Sequence, residues 1–194
     1  MNQSRKYSQN QGKSTIYYQT LTLGDKDWTL WASDKGLIRL TYPQDEGRLP
    51  AAWLKQYAPA GRLQEDRERF EQLGATALLQ RYFAGEAVDF SGLALDLWGT
   101  PFQQEVWRGL LTIPYGKTAT YKELAERIGR PQAMRAVGTA NGQNPLPVIV
   151  PCHRVIGTNG TLTGYRGGLQ LKQELLQLEG ILHVKAAGHE RFAF

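Results

Sequence analysis

The chain has 194 residues, 41% hydrophobic and 21% charged, with a net charge of +5, the balance of an ordinary globular protein of one large domain or two small ones. No run approaches the ~18 consecutive apolar residues of a membrane span. One cysteine and three histidines rule out an intramolecular disulfide and a thiolate zinc site and make a structural metal unexpected.

Met1 to Lys13 is polar and lacks the apolar stretch of a signal peptide, so it reads as a disordered leader on a cytoplasmic protein. Ile16 to Leu23 alternates, with Ile16, Tyr18, Leu21 and Leu23 as inward positions. Trp28 to Ala32 and Leu37 to Tyr42 are further strand-like runs around the turn Ser33 to Gly36, which predicts a small antiparallel sheet. Glu65 to Ala84 has helical spacing through Phe70, Leu73, Ala77, Leu78 and Tyr82. A connecting strand is expected around Leu93 to Leu97, and Gly99-Thr100-Pro101 marks a boundary. The division is therefore a leader over 1–13, an α/β domain over 14–97 and a mostly helical domain over 98–194.

In the second half Pro101 opens a helix behind Thr100, with Gln103 placed for a capping box, and Phe102, Val106 and Leu110 recur every four residues. Thr120 with Glu123 repeats the capping pattern, and Leu124, Ala125 and Ile128 form the next stripe. Pro131 is expected to start a third helix with Ala133, Ala136, Val137 and Ala140 inward and Gln132, Arg135, Gly138 and Thr139 outward. The pair has the pattern of a helix-turn-helix. Its outward face is small apart from one arginine, so it is either a packing unit or a surface that approaches a sugar-phosphate backbone closely with weak base preference. Charge bears on the choice. Residues 1–97 hold 12 Lys+Arg and 12 Asp+Glu, whereas the remainder holds 11 against 6. The whole excess lies in the second half, which suits a polyanion partner or, more blandly, a basic solvated surface.

The lone cysteine is either an inert buried residue or a reactive thiol. It stands in Asn144-Pro-Leu-Pro-Val-Ile-Val-Pro-Cys152-His153-Arg154-Val155. Val148 to Val150 reads as a short buried strand bracketed by Pro147 and Pro151, with Cys152 at its end. His153 and Arg154 can both favour a thiolate. Neighbours on a strand point in opposite directions, so His153 serves Cys152 only if the chain turns or a water bridges them. Leu169 to Leu178 is a last helix with Leu171, Leu175 and Leu178 on one face and Glu179 just before the stop residue Gly180. A carboxylate there opposes the helix dipole by ~0.3–1 kcal/mol, so it is either a tolerated surface residue or one held by a partner such as a histidine.

Pro151-Cys152-His153-Arg154-Val155 resembles the active-site signature of the O6-alkylguanine-DNA alkyltransferases. The resemblance runs from about Trp98 to Leu182 through Pro114-Tyr115-Gly116, Thr120-Tyr121, Arg135-Ala136-Val137-Gly138, Asn144-Pro145, Gly164-Tyr165-Arg166 and Leu178-Glu179-Gly180. It implies a ribonuclease-H-like N-terminal α/β domain and a winged-helix-like C-terminal domain containing the helix-turn-helix. It implies Cys152 as alkyl acceptor, with His153 acting through a water and Glu179 orienting it. Asn144 would brace the turn, and Tyr121 would rotate the nucleotide and stabilise the departing guanine. Arg135 would fill the gap in the stack, with Thr120, Tyr121, Gln132, Gly138 and Thr139 along the DNA. Pro147, Val155, Tyr165, Arg166 and Gly167 would line the pocket. The implied partner is duplex DNA carrying O6-alkylguanine or O4-methylthymine, bound as a monomer in the minor groove with the nucleotide flipped. Members with structural zinc use N-terminal cysteines and histidines, which this chain lacks, so no metal is expected.

The chemistry fits those residues. An alkylated O6 inside a duplex cannot be attacked until its nucleotide is extruded. A thiolate is soft enough to displace alkyl from oxygen, and the thioether formed is too stable for nearby groups to hydrolyse. Each molecule would act once, without a cofactor. Two other readings compete: a non-catalytic helix-turn-helix protein that binds damaged DNA, and a cysteine hydrolase. The first leaves Cys152 without a purpose. The second normally has nucleophile and base far apart in sequence.

Overall fold

The structure, a computed structural model, describes residues 15–59 and 61–185; the leader expected over Met1 to Lys13 lies outside them. The chain divides into two compact units, one running to Ala84 and resuming over Asp89–Thr100, the other holding Gly85–Val88 and the residues from Pro101.

In the first unit β1 (Thr15–Leu23), β2 (Lys26–Ala32) and β3 (Leu37–Thr41) pair antiparallel in sequence order. Ile16, Leu21 and Leu23 turn inward as the alternation predicts, and Tyr18 is half-buried against Trp31 with ring centroids 5.1 Å apart. The sheet is mixed rather than wholly antiparallel. After α1 (Ala51–Tyr57) the chain returns as β4 (Arg62–Glu65), parallel to β1, giving the order β3-β2-β1-β4. All four β4 residues are exposed, so no inward-outward alternation announces this edge strand.

The stretch read as one helix over Glu65 to Ala84 is two, α2 (Arg67–Gln72) and α3 (Ala75–Phe83). Asp66 caps α2 by accepting the Arg69 N–H at 3.1 Å. Gly74, at φ +72°, breaks the path with a left-handed residue that a continuing helix cannot contain. The strand expected around Leu93 to Leu97 reduces to one bridge. Leu37 donates to Ala94 O and accepts from Asp96 N, each at 2.8 Å, and no ladder extends from it. Trp28, Leu30, Phe70, Leu79 and Tyr82 fill the core between sheet and helices.

The second unit is mostly helical: α4 (Pro101–Leu110), α5 (Tyr121–Arg127), α6 (Met134–Gly142) and α7 (Leu169–Leu178), with two-residue strands β5 (Ala119–Thr120) and β6 (Val155–Ile156) paired parallel. Pro101 starts α4 as expected, and Trp107 Nε1 donates to Ala140 O at 2.8 Å, tying α4 to α6. The capping box at α5 is present: Thr120 Oγ1 accepts Glu123 N–H at 3.1 Å while Glu123 accepts Thr120 N–H at 2.6 Å. Gly129, at φ +69°, turns the chain toward α6. Pro131 belongs to that turn, three residues before the helix, because Ala133 N–H is engaged by Arg130 O at 2.8 Å. The inward face of α6 is Val137, Ala140 and Asn141, with Ala133 half-buried and Ala136 exposed.

Val148 to Val150 is no strand. Asn144 Nδ2 donates to Val150 O at 2.7 Å and its Oδ1 accepts Leu146 N–H at 3.0 Å, while Val150 N–H reaches Leu146 O at 2.7 Å. These bonds coil the segment into a turn whose Val148 sits at φ +72°. Cys152 therefore begins a short 3-10 turn, Cys152–Arg154, instead of ending a strand.

The packing of α4 on α5 is testable. A Cβ on Gly109 of α4 would meet Ile128 Cγ2 at 2.5 Å and Leu124 Cδ1 at 3.1 Å. Gly109→Ala should lower stability by about 1–3 kcal/mol through overpacking, read as a lower urea midpoint. An unchanged midpoint would mean that α4 and α5 part without cost.

Candidate functional site

The 3-10 turn gathers three consecutive buried residues: Cys152 is 2% exposed, His153 0% and Arg154 6%. Across from them, at the C-terminal end of α7, Glu179 is also buried. His153 Nε2 lies 2.8 Å from Glu179 Oε1. Arg154 donates to the same carboxylate through Nε at 2.9 Å and Nη2 at 3.0 Å, and through Nη1 to Ile113 O at 2.6 Å. Gly116 N–H donates to Oε2 at 3.1 Å, and Tyr115 Oη donates to Leu178 O at 3.1 Å. Glu179 is thus a buried charge with a full set of donors, the arrangement in which a buried ion is tolerated.

Electrostatics follow from that packing. Burial alone would raise the Glu179 carboxyl; the bonds and charges of His153 and Arg154 outweigh it and hold it at about 2. Burial dominates at His153 and keeps it below the usual histidine range against the pull of Glu179, so the imidazole is neutral at pH 7. An ionised carboxylate only accepts, so Nε2 carries the imidazole proton and the basic lone pair is on Nδ1.

Another set of groups surrounds the sulfur. Lys172 of α7 is fully buried, its Nζ donating to Val155 O at 2.6 Å and Thr163 O at 3.2 Å, and its charge is close enough to Cys152 to interact with it. Burial holds this lysine down at about 8 against the opposing pull of Cys152. Tyr121 opens α5, and its phenol interacts with Cys152 as well. Burial raises the phenol, while hydrogen bonds from Thr163 and Asn141 act the other way. Thr163 Oγ1 lies 3.1 Å from Tyr121 Oη.

The structure places His153 on Glu179, Asn144 on the turn just before Cys152, and the Tyr121 phenol within electrostatic reach of Cys152. Arg154, expected to favour the thiolate, is engaged instead by Glu179 and Ile113 O. Pro147 lies in the coiled segment before Cys152 and Val155 follows the turn; both are buried. The ring of Tyr165 has the Lys172 ammonium 5.9 Å from its centroid, and Arg166 and Gly167 are half-buried before α7. Arg135, Thr139 and Gln132 are exposed, whereas Gly138 faces inward, its Cβ position 3.7 Å from two ring carbons of Tyr121. The Thr120 hydroxyl is occupied by the α5 cap.

Lys172, Asn141 and Thr163 were not legible as site residues. Lys172 left one signal: it lies on the same turn as the apolar positions Leu171, Leu175 and Leu176, where a lysine is rare unless paired. Among the described residues no group of three or more His, Cys, Asp or Glu side chains could hold a metal ion. No described helix is long and apolar enough to cross a membrane.

Comparison with known proteins bears on both units. The model of the 6-O-methylguanine DNA methyltransferase ribonuclease-like domain matches residues 16–97, and that of the same family's DNA-binding domain matches residues 101–181. A methylated-DNA–protein-cysteine methyltransferase of Mycobacterium bovis is 60% identical over 106 residues, 55% of this chain, so the chain spans 64% of the length of that relative. Its counterpart in Methanosarcina barkeri is 42% identical over 166 residues, covering 84% of this chain and 97% of the relative. The crystal structure of a Mycobacterium tuberculosis O6-methylguanine methyltransferase superposes with a TM-score of 0.70 at 44% identity, covering 85% of this chain and 93% of that one. A Mycobacterium tuberculosis structure in complex with DNA gives 0.72 at 44% identity, covering 84% and 93%.

The Glu179 cluster yields a pH-dependent expectation. Its folded value of about 2 lies below the ordinary 4.5, so its contribution is complete above pH 4.5 and fades as the pH falls toward 2. Glu179→Gln should cost about 3–5 kcal/mol at neutral pH, because His153 and Arg154 lose a buried partner. In urea unfolding from pH 6 to 2.5 the gap between variant and wild type should shrink below pH 4.5. A constant gap would contradict the assigned charge.

Proposed function

The chain belongs to the 6-O-methylguanine DNA methyltransferase family, and on that premise we propose that it repairs DNA by direct reversal, taking the methyl group of O6-methylguanine onto Cys152. The observation that carries this reading is the buried His153–Glu179 contact of 2.8 Å, formed beside the lone thiol within one turn of chain. A neutral imidazole fixed by a carboxylate is a base poised to remove a thiol proton. His153 follows Cys152 directly, so it works through a water. Lys172 supplies positive charge on the sulfur's other neighbourhood and favours the thiolate.

The remaining roles follow from placement. The exposed start of α6 carries Arg135, with Gln132 before it and Thr139 one turn on, a surface of one long cation among small side chains. Such a surface fits the minor groove of duplex DNA, with Arg135 filling the space of an extruded nucleotide. Thr120 and Gly138 sit behind that surface, where Thr120 caps α5 and Gly138 supports the Tyr121 ring. Tyr121 gives a proton to the departing guanine. Asn144 holds the coiled segment under Cys152, and Pro147, Val155, Tyr165, Arg166 and Gly167 form the wall around the base. The displacement joins a thiolate to an alkyl carbon and requires no cofactor or metal. The thioether persists, so each molecule acts once, as a monomer, and a chemistry that needs a reduced thiol suits the reducing cytoplasm.

Incubation with duplex DNA bearing O6-methylguanine should add one methyl mass to the Cys152 peptide, in step with loss of the lesion, and Cys152→Ala should still bind that DNA without repairing it. Repair with an unmodified peptide would overturn the reading; binding without any repair would favour a non-catalytic damage-binding protein. Arg135→Ala should slow repair of the duplex lesion by about tenfold or more while reaction with free O6-benzylguanine changes little, since only the duplex requires flipping. Equal losses, measured as second-order rates, would remove Arg135 from that role.

A further inference from the structure

We propose that Asn141 and Thr163 are positioning residues for the Tyr121 proton: together they occupy the phenol oxygen as donors, direct its O–H toward the thiol site and hold the phenolate that forms as the base departs. This rests on the repair reading above and adds to it the groups that make Tyr121 an effective acid.

A phenol oxygen has one proton to give and accepts through its lone pairs. In this site the accepting capacity is taken up. Thr163 donates through Oγ1 at 3.1 Å, and the Asn141 side chain bonds the same phenol from α6. With both donors in place the phenol's own hydrogen points away from them.

The geometry around the pair is built from several sides. Gly138 and Asn141 are neighbours one helical turn apart. The ring of Tyr121 rests on Gly138, 3.7 Å from where a Cβ would stand, and its hydroxyl is hydrogen-bonded by the Asn141 side chain. Thr163 is held in turn by Lys172, whose buried ammonium takes Thr163 O at 3.2 Å while facing Cys152. Asn141 is 3% exposed, and its Oδ1 has no hydrogen-bond partner among the described residues. An orphaned buried acceptor destabilises the fold, so a polar side chain kept here points to a use other than packing.

The step balances as follows. The S–C bond forms as the C–O6 bond breaks, and its electron pair leaves with the guanine. The guanine takes the Tyr121 proton, leaving a phenolate. Thr163 and Asn141 stabilise that charge until solvent returns the proton.

The test separates acid assistance from thiol reactivity. Asn141→Leu and Thr163→Val should each slow methyl transfer from O6-methylguanine duplex by about tenfold, part of the 100-fold or more expected of a general acid. Alkylation of Cys152 by iodoacetamide should stay within about twofold, because iodide leaves without a proton. Thr163→Ser should restore transfer to within about threefold of wild type, and on a Tyr121→Phe background neither substitution should cost more. Transfer and iodoacetamide rates falling together, or transfer unchanged in either variant, overturns the proposal. A wild-type protein that takes up no methyl overturns the repair reading itself, and this one with it.

Discussion

Glu179 is a carboxylate out of water whose charge is shared among His153 Nε2, two nitrogens of Arg154 and the Gly116 N–H. Moving such an ion into the interior costs several kcal/mol, and each of those donors offsets part of it. The same bonds join three segments far apart in sequence: the end of α7, the 3-10 turn and the loop after α4. Arg154 Nη1 on Ile113 O and Tyr115 Oη on Leu178 O add further stitches between them. The position of Cys152 is therefore set by a network in which no member moves alone. Against this, the ~0.3–1 kcal/mol penalty of a carboxylate at a helix C-terminus is small.

The coiled segment before the cysteine is the second constraint. Val148 at φ +72° is a β-branched residue in a region that such side chains avoid, at a cost of about 1–3 kcal/mol. It persists because Asn144 binds both sides of the turn, at Val150 O and Leu146 N, and because the segment is buried throughout. The result is a rigid entry into the 3-10 turn. A strand would have thrown His153 to the face opposite Cys152; the turn instead brings His153 and Arg154 onto one carboxylate.

Much of this was legible in the chain, and what was missed has physical causes. The caps at Thr120 and Asp66 differ instructively. Thr120 with Glu123 is a reciprocal box visible in sequence, whereas Asp66 hid inside a run whose apolar spacing suggested one unbroken helix. That spacing survived the break at Gly74 because both α2 and α3 face the same core. β4 carries no alternation, so only pairing with β1 identifies it. At the site, Cys152, His153 and Glu179 were readable because the motif holds them at fixed spacing. Asn141 and Thr163 looked like an ordinary helix residue and a loop residue; only the folded chain sets them at one phenol.

A displacement at carbon that begins with a thiol and ends with a neutral base needs a proton removed at one place and supplied at another. His153 and Tyr121 are both buried, and what distinguishes them is their hydrogen-bond partners. Burial keeps His153 uncharged, and its bond to Glu179 leaves the basic lone pair on Nδ1. Burial also raises Tyr121, which by itself would weaken it as an acid, and the donors at its oxygen act against that rise. Lys172, still protonated at neutral pH with a value of about 8, spans the two by binding Val155 O and Thr163 O beside the sulfur. A lysine drawn into the interior thus ties the segment after Cys152 to Thr163 and, through it, to the Tyr121 phenol.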